Sequence, residues 1–235
     1  MALTRGWDDF RAAPQYGIGF GAIFAIGGLL LTYFLFARGE LMWLFLAAAG
    51  FPLLAPFTAV GLYEVSRRRE LNIALNWAGV LRAIIGRDDD QILSMGVIIF
   101  VAFSFWVIIA HLVFAIFLAE AGAGSESLEF LISPTGLTML ATGSVIGAAI
   151  AFVFFAFTVL SLPLLVDRKV DFITAIVTSL RACRNNLYVL LVWALGIATS
   201  LFAALALGFV GLLVVLPVLS HATWHLYRRT VQHRT

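Results

Sequence analysis

The sequence predicts an all-α fold, a polytopic membrane helix bundle of six transmembrane helices with two amphipathic helices on its cytoplasmic interface. Three observations lead there. Hydrophobic residues make up 62% of the 235-residue chain and charged residues 12%, where soluble domains carry about a quarter charged residues. Uncharged runs recur, each near the roughly 20 helical residues that a hydrocarbon core requires. The cations are one-sided: six crossings place every Lys and Arg except Arg38 on one face, which the positive-inside rule assigns to the cytoplasm.

The 235 residues form a single membrane domain. Residues 1–15, with Trp7, Phe10 and Arg11 beside Asp8 and Asp9, read as a short surface helix ending at Pro14. The first span covers residues 16–37, longer than the roughly 7–15 apolar residues of a signal peptide. Its Gly17 and Gly21 suit close helix packing, whereas the G-x-G-x-G run has no preceding strand to make a nucleotide loop. The second span, 41–63, contains Pro52 and Pro56. Beyond it Leu71, Ala74, Leu75, Ala78 and Leu81 repeat at helical spacing among arginines, which predicts the first interfacial helix over 67–86.

The third span, 92–119, carries His111, and Ser133-Pro134 then offers a capping residue and a first-turn proline to the next helix. That fourth span, 136–166, exceeds a perpendicular crossing, so it tilts or kinks at Pro163. Gly143 and Gly147 within it again suit close packing. Asp167, Arg168 and Lys169 mark its exit. Phe172, Ile173, Ile176, Leu180 and Cys183 then oppose Thr174, Thr178 and Arg181, defining the second interfacial helix, 170–184. Cys183, the single cysteine, excludes an internal disulfide and reads as a small apolar packing residue. Residues 187–227 contain no Asp, Glu, Lys or Arg and hold two spans, 187–207 and 209–227, joined by a tight turn at Gly208 and Gly211.

This count leaves both termini in the cytoplasm, with Glu40, Glu120, Glu126 and Glu129 on the opposite side. Each outward-to-inward span repeats a short pattern, at Phe51-Pro52-Leu53-Leu54, Leu162-Pro163-Leu164-Leu165 and Leu216-Pro217-Val218-Leu219, which suggests hairpins built on one plan.

Three segments also carry a family likeness. They are Gly61-Leu62-Tyr63-Glu64-Val65-Ser66-Arg67-Arg68, Leu162-Pro163-Leu164-Leu165-Val166-Asp167-Arg168, and Leu216-Pro217-Val218-Leu219-Ser220-His221-Ala222-Thr223-Trp224-His225-Leu226-Tyr227-Arg228-Arg229. With them the chain resembles the predicted bacterial integral membrane proteins grouped as domain of unknown function 2189. The resemblance implies a bacterial inner-membrane protein and brings no established activity and no catalytic residues.

Glu64, Asp167, His221 and His225 stand at cytoplasmic ends of spans and form the candidate polar cluster, and His111 is the candidate intramembrane polar site. His221 and His225 are four apart, a spacing that two metal ligands can use. The stronger reading is that, one turn before Arg228, they suit the negative end of a helix dipole and lipid headgroups. His111 and His221 differ in depth by roughly 15 Å at about 1.5 Å per residue, so they do not face one haem. No catalytic residue, metal ligand set or cofactor is assigned, and the shortage of buried charge argues against proton or ion coupling. The partners expected are the lipid bilayer and other membrane proteins, not nucleic acid. The function expected is a non-enzymatic accessory or assembly subunit, in an energy-transducing complex. The alternatives are a carrier for a neutral or amphipathic solute and a haem-binding redox subunit.

Overall fold

Caps, prolines and left-handed residues decide where the helices of this chain begin and end. The computed structural model describes residues 1–38, 56, 58–85, 90–121 and 128–232, which are helical without strand. α1 (Ala2–Ala12) and α2 (Pro14–Arg38) part at Ala13, because the residue before a proline is pushed out of helical conformation. α3 occupies residues 58–70 and α4 Trp77–Ile85. α5 (Gln91–Ala121), α6 (Leu128–Ile132), α7 (Pro134–Thr158) and α8 (Ser161–Asp167) follow. α9 (Phe172–Asn185), α10 (Leu187–Ala206) and α11 (Leu212–Gln232) complete the chain.

Among the described residues four stretches are long and apolar enough to cross a membrane: α2, Gln91–Phe117 of α5, Pro134–Asp167 across α7 and α8, and α10. They carry the spans expected at 16–37, 92–119, 136–166 and 187–207. The span expected at 41–63 lies mostly outside the described residues, Pro52 included, and its end opens α3. The one expected at 209–227 falls on α11, whose apolar first half gives way to Ser220, His221, Thr223, His225 and Arg228.

Two boundaries differ from expectation for identifiable reasons. The helix expected over 67–86 is broken, because Asn72 takes a left-handed φ of 53° and ends α3. Its amide bonds the Arg69 carbonyl, and the Ile73 amide reaches the Arg68 carbonyl, the Schellman arrangement that asparagine tolerates. Asn76 then caps α4 by accepting from the Gly79 amide at 2.7 Å. The second break falls at 159–160, four residues before Pro163, where the missing proline N–H leaves a carbonyl without its helical donor. Ser179 of α9 bridges the neighbouring interrupted pair, accepting from the Leu160 amide at 3.2 Å and donating to the Ala156 carbonyl at 2.7 Å. Ser133 caps α7 as expected, accepting from Gly136 N at 3.1 Å with Pro134 in the first turn. Gly208, with φ 69°, helps make the α10–α11 turn.

α1 is no loose surface helix. A methyl at Gly6 would come within 2.6 Å of the Ala222 amide nitrogen and 2.7 Å of the Val218 carbonyl, so only glycine lets the backbones of α1 and α11 approach this closely. Gly21 seats α2 on Leu213 of α11 in the same way. Gly143 and Gly147 do not: added methyls there would stand 3.8 Å from Val113 and 3.9 Å from Trp106, because the wall they occupy faces a cleft.

One buried cluster, including Tyr63, Met95, Leu160, Leu164, Trp224 and Tyr227, fastens α3, α5, α8 and α11 together at the charged end. A second, including Tyr16, Phe20, Leu62, Val65, Val80 and Leu212, joins α2, α3, α4 and α11. Farther along, almost none of the apolar length of α5 or α10 is buried. That division follows from the solvent. Burial drives packing where water competes, whereas lipid leaves apolar helix faces little to gain. Between α5, α7, α10 and α11 opens an apolar cleft of about 1180 Å³, walled by residues such as Phe103, Trp106, Phe155, Leu195 and Phe202.

Candidate functional site

The inward face of α1 reads Gly6, Asp9, Phe10 and Ala13, a stripe at i, i+3, i+4 and i+7 that puts one carboxylate among small and apolar neighbours. On α11 the corresponding stripe is His221, His225 and Arg228. α3 meets both with Ser66, Arg69 and Glu70. Helical periodicity alone therefore converges these side chains on one point.

Asp9 is the centre. Its Oδ2 accepts from the Ser66 hydroxyl at 2.6 Å and from His225 Nε2 at 2.8 Å, while Oδ1 accepts from Arg69. Ser66 has one hydroxyl proton, committed to Asp9, so the 2.7 Å contact with His221 Nδ1 makes the imidazole nitrogen the donor. His221 is thereby fixed in its Nδ1–H tautomer, and its other nitrogen is buried without a hydrogen bond.

From His225 the network turns outward. Nδ1 lies 3.3 Å from Glu70 Oε1, at ion-pair distance but out of line for a hydrogen bond. Arg228 then bridges Glu70 at 3.1 Å and Asp167 at 3.2 Å, and the Tyr227 hydroxyl donates to Asp167 at 2.8 Å. α1, α3, α8 and α11 are thus closed by one polar clamp. Glu64 stands beside it, its oxygens held by Arg67 at 2.7 and 3.0 Å and by Arg68 at 2.8 Å. Arg68 continues to the Ala74 carbonyl at 3.0 Å and lies over Gly79, where a side chain would collide with it. This anchors the break between α3 and α4.

The charges are paired in the clamp and beside it: Asp9, Glu64, Glu70 and Asp167 face Arg67, Arg68, Arg69 and Arg228. Burial pushes the Asp9 carboxyl up, but the hydrogen bonds from His225 and Ser66 and the nearby imidazoles outweigh it and hold the group below its ordinary 3.8. Glu70 follows the same pattern. Burial opposes ionisation, and His225 and Arg228 overcome it, leaving the group below its ordinary 4.5.

Serine, histidine and aspartate are the residue types of a hydrolytic triad, but the wiring is wrong for one. The serine proton points to the carboxylate, not to an imidazole base. Ser66 and His221 are moreover 0% exposed, so no substrate reaches the hydroxyl. Among the described residues no three His, Cys, Asp or Glu side chains converge to hold a metal ion.

Of the expected cluster, His221, His225 and Asp167 are joined through Asp9 and Arg228, whereas Glu64 belongs to its own arginine pair. The histidines face inward, away from the headgroup level, at 0% and 4% exposed. His111 stands apart on the cleft wall, its Nδ1 bonded to the Val107 carbonyl of its own helix at 2.9 Å. Sequence reasoning missed Asp9, Ser66, Glu70 and Arg228. The available signal was Asp9 itself, which shares the apolar face of α1 while Asp8 points outward.

The helices and the clamp define a polytopic α-helical membrane protein whose polar residues are turned inward to lock its charged end. More specifically, the chain belongs to the family described as predicted integral membrane protein (DUF2189), whose model matches residues 44–167. That match contains Glu64, Ser66, Glu70 and Asp167, while Asp9, His221, His225 and Arg228 lie outside it. No curated protein and no solved structure matches the chain.

Proposed function

We propose that the chain is a non-enzymatic accessory or assembly subunit of the bacterial inner membrane, binding lipid and other membrane proteins in an energy-transducing complex. It crosses the bilayer six times, at α2, 41–63, α5, α7–α8, α10 and α11, with both termini in the cytoplasm. The observation that carries this reading is the contrast between its two regions. The ionisable side chains at the charged end are paired in and beside the clamp, while among the described residues the apolar faces of α5 and α10 are almost wholly unburied, which suits them to take neighbouring helices. Extraction from the native membrane in a mild detergent, followed by the mass of the particle and its composition, tests it. A stoichiometric complex with another membrane protein is expected, and a monomer at native expression contradicts it.

A carrier for a neutral or amphipathic solute is the second reading, favoured by the apolar cleft of about 1180 Å³, somewhat larger than ordinary ligand pockets of roughly 300–1,000 Å³. Solute flux in vesicles of the purified protein, abolished by Gly147→Phe in the cleft wall, is its expected signature. Flux unchanged by that substitution removes the path.

A further inference from the structure

Two groups of cations at the charged end contrast with each other. Arg67, Arg68, Arg69 and Arg228 are matched by carboxylates of the clamp. Lys169, Arg181 and Arg184, in and just before α9, are exposed and have no ion pair among the described residues. We infer that the outer face of α9 is a docking surface for the headgroups of anionic phospholipids.

The helix is held so that this face must look outward. Asp171 caps it through the Thr174 amide at 2.8 Å, Gln91 of α5 accepts from the Phe172 amide at 2.8 Å, and Ser179 is bonded into the α7–α8 break. Ala175, Ser179, Ala182 and Cys183 are buried against the bundle. On the opposite side Ile173 (60% exposed), Val177 and Leu180 stand bare. At 3.6 residues per turn they share an arc of about 100° with Arg181 and Arg184. Apolar side chains with arginines on the same arc suit neither water nor a dry protein seam. They suit the boundary of acyl chain and headgroup, where guanidinium heads snorkel outward. Asp171, the one carboxylate in the segment 170–186, is still charged but sits at the helix cap, off the arc of Arg181 and Arg184, so among the described residues of this segment no carboxylate shares that arc. Charge complementarity thus selects an anionic lipid over a zwitterionic one. The inference deepens the proposed function only in placing α9 against a membrane, and the lipid measurement below can fail while the complex survives, or the reverse.

The test is native mass spectrometry of the full chain released from nanodiscs of equimolar phosphatidylglycerol and phosphatidylcholine. Retained lipid is expected to be enriched in phosphatidylglycerol. Arg181→Gln with Arg184→Gln should cut the enrichment roughly tenfold, since each basic side chain at an anionic surface contributes severalfold. The pair Arg181→Lys and Arg184→Lys should preserve most of it, and raised salt should erode it in the wild type. Arg5→Gln with Arg11→Gln, which removes the same charge from exposed sites on α1, should leave it unchanged. Equal retention of both lipids by the wild type overturns the inference, as does an equal loss in the α1 control. Loss of a protein partner from the α9 variant without any change in lipid also overturns it.

Discussion

Replacing Asp9 by alanine should free α1 from the bundle without unfolding the rest. Three donors lose their acceptor: the Ser66 hydroxyl, His225 Nε2 and the Arg69 guanidinium. Arg69 is 30% exposed as a side chain, so it can turn to water and its loss counts for little. Ser66 and His225 cannot, being 0% and 4% exposed, and each stranded group costs about 1–3 kcal/mol. Part of that is recovered if the His221 proton moves to Nε2 and Ser66 then donates to Nδ1, which leaves a net loss of about 2–4 kcal/mol, or roughly 30- to 1,000-fold in the docking equilibrium. Hydrogen exchange of the α1 amides in micelles reads this directly, because opening of a local unit sets the rate. Exchange should accelerate by that factor in α1 while α7 stays at its wild-type rate. Asp9→Asn, which keeps one acceptor oxygen, should produce about half the free-energy change. An α1 exchange rate within threefold of wild type for Asp9→Ala would refute the reasoning.

Other consequences are as specific. Gly6→Val should lower the thermal midpoint by displacing α1, at a cost of about 1–3 kcal/mol or more, because the methyls meet backbone atoms of α11 that cannot rotate away. Ser179→Ala should destabilise by about 1–3 kcal/mol in denaturant or thermal unfolding, since it leaves the Leu160 amide and the Ala156 carbonyl unpaired. Asp9 and Glu70 sit below their ordinary values of 3.8 and 4.5, so the folded chain binds fewer protons than the unfolded one in that region. Their stabilisation is complete above those values and is lost as pH falls through the lower, folded ones. The thermal midpoint should therefore be insensitive to these two groups near neutrality and drop on acidification below about pH 4, with a shallower drop in Asp9→Asn.

Much of the fold is written in local chemistry. The long apolar runs of α2, α5, α7 and α10 need no tertiary information, and neither does the Ser133-Pro134 start of α7. The α3–α4 break was harder to see because Leu71, Ala74, Leu75 and Ala78 keep a helical period through it; the left-handed Asn72 and the capping Asn76 override that pattern. The break before Pro163 shows the complementary case. Proline signals that a helix is disturbed, but the place of the break depends on Ser179, 16 residues later in the chain and legible only after folding. The clamp was partly legible. His221, His225 and Asp167 advertise themselves by lying at the ends of apolar segments, yet their partner Asp9 is in a helix whose composition looks like surface. Its inward position is decided by Gly6, where close contact with α11 rotates the Asp9 face toward the histidines. Buried charge does occur just outside the expected spans, where Asp9 and Glu64 are buried against cationic partners.

The central claim is that Asp9 and His225, far apart in sequence, act as one unit holding the charged end together. A double-mutant cycle on Asp9→Asn and His225→Gln, read by unfolding free energy in micelles, measures that unit directly. Direct contact at 2.8 Å predicts a coupling of about 1–3 kcal/mol, with the double variant much less damaged than the two single losses combined. Strict additivity of the two substitutions would contradict it.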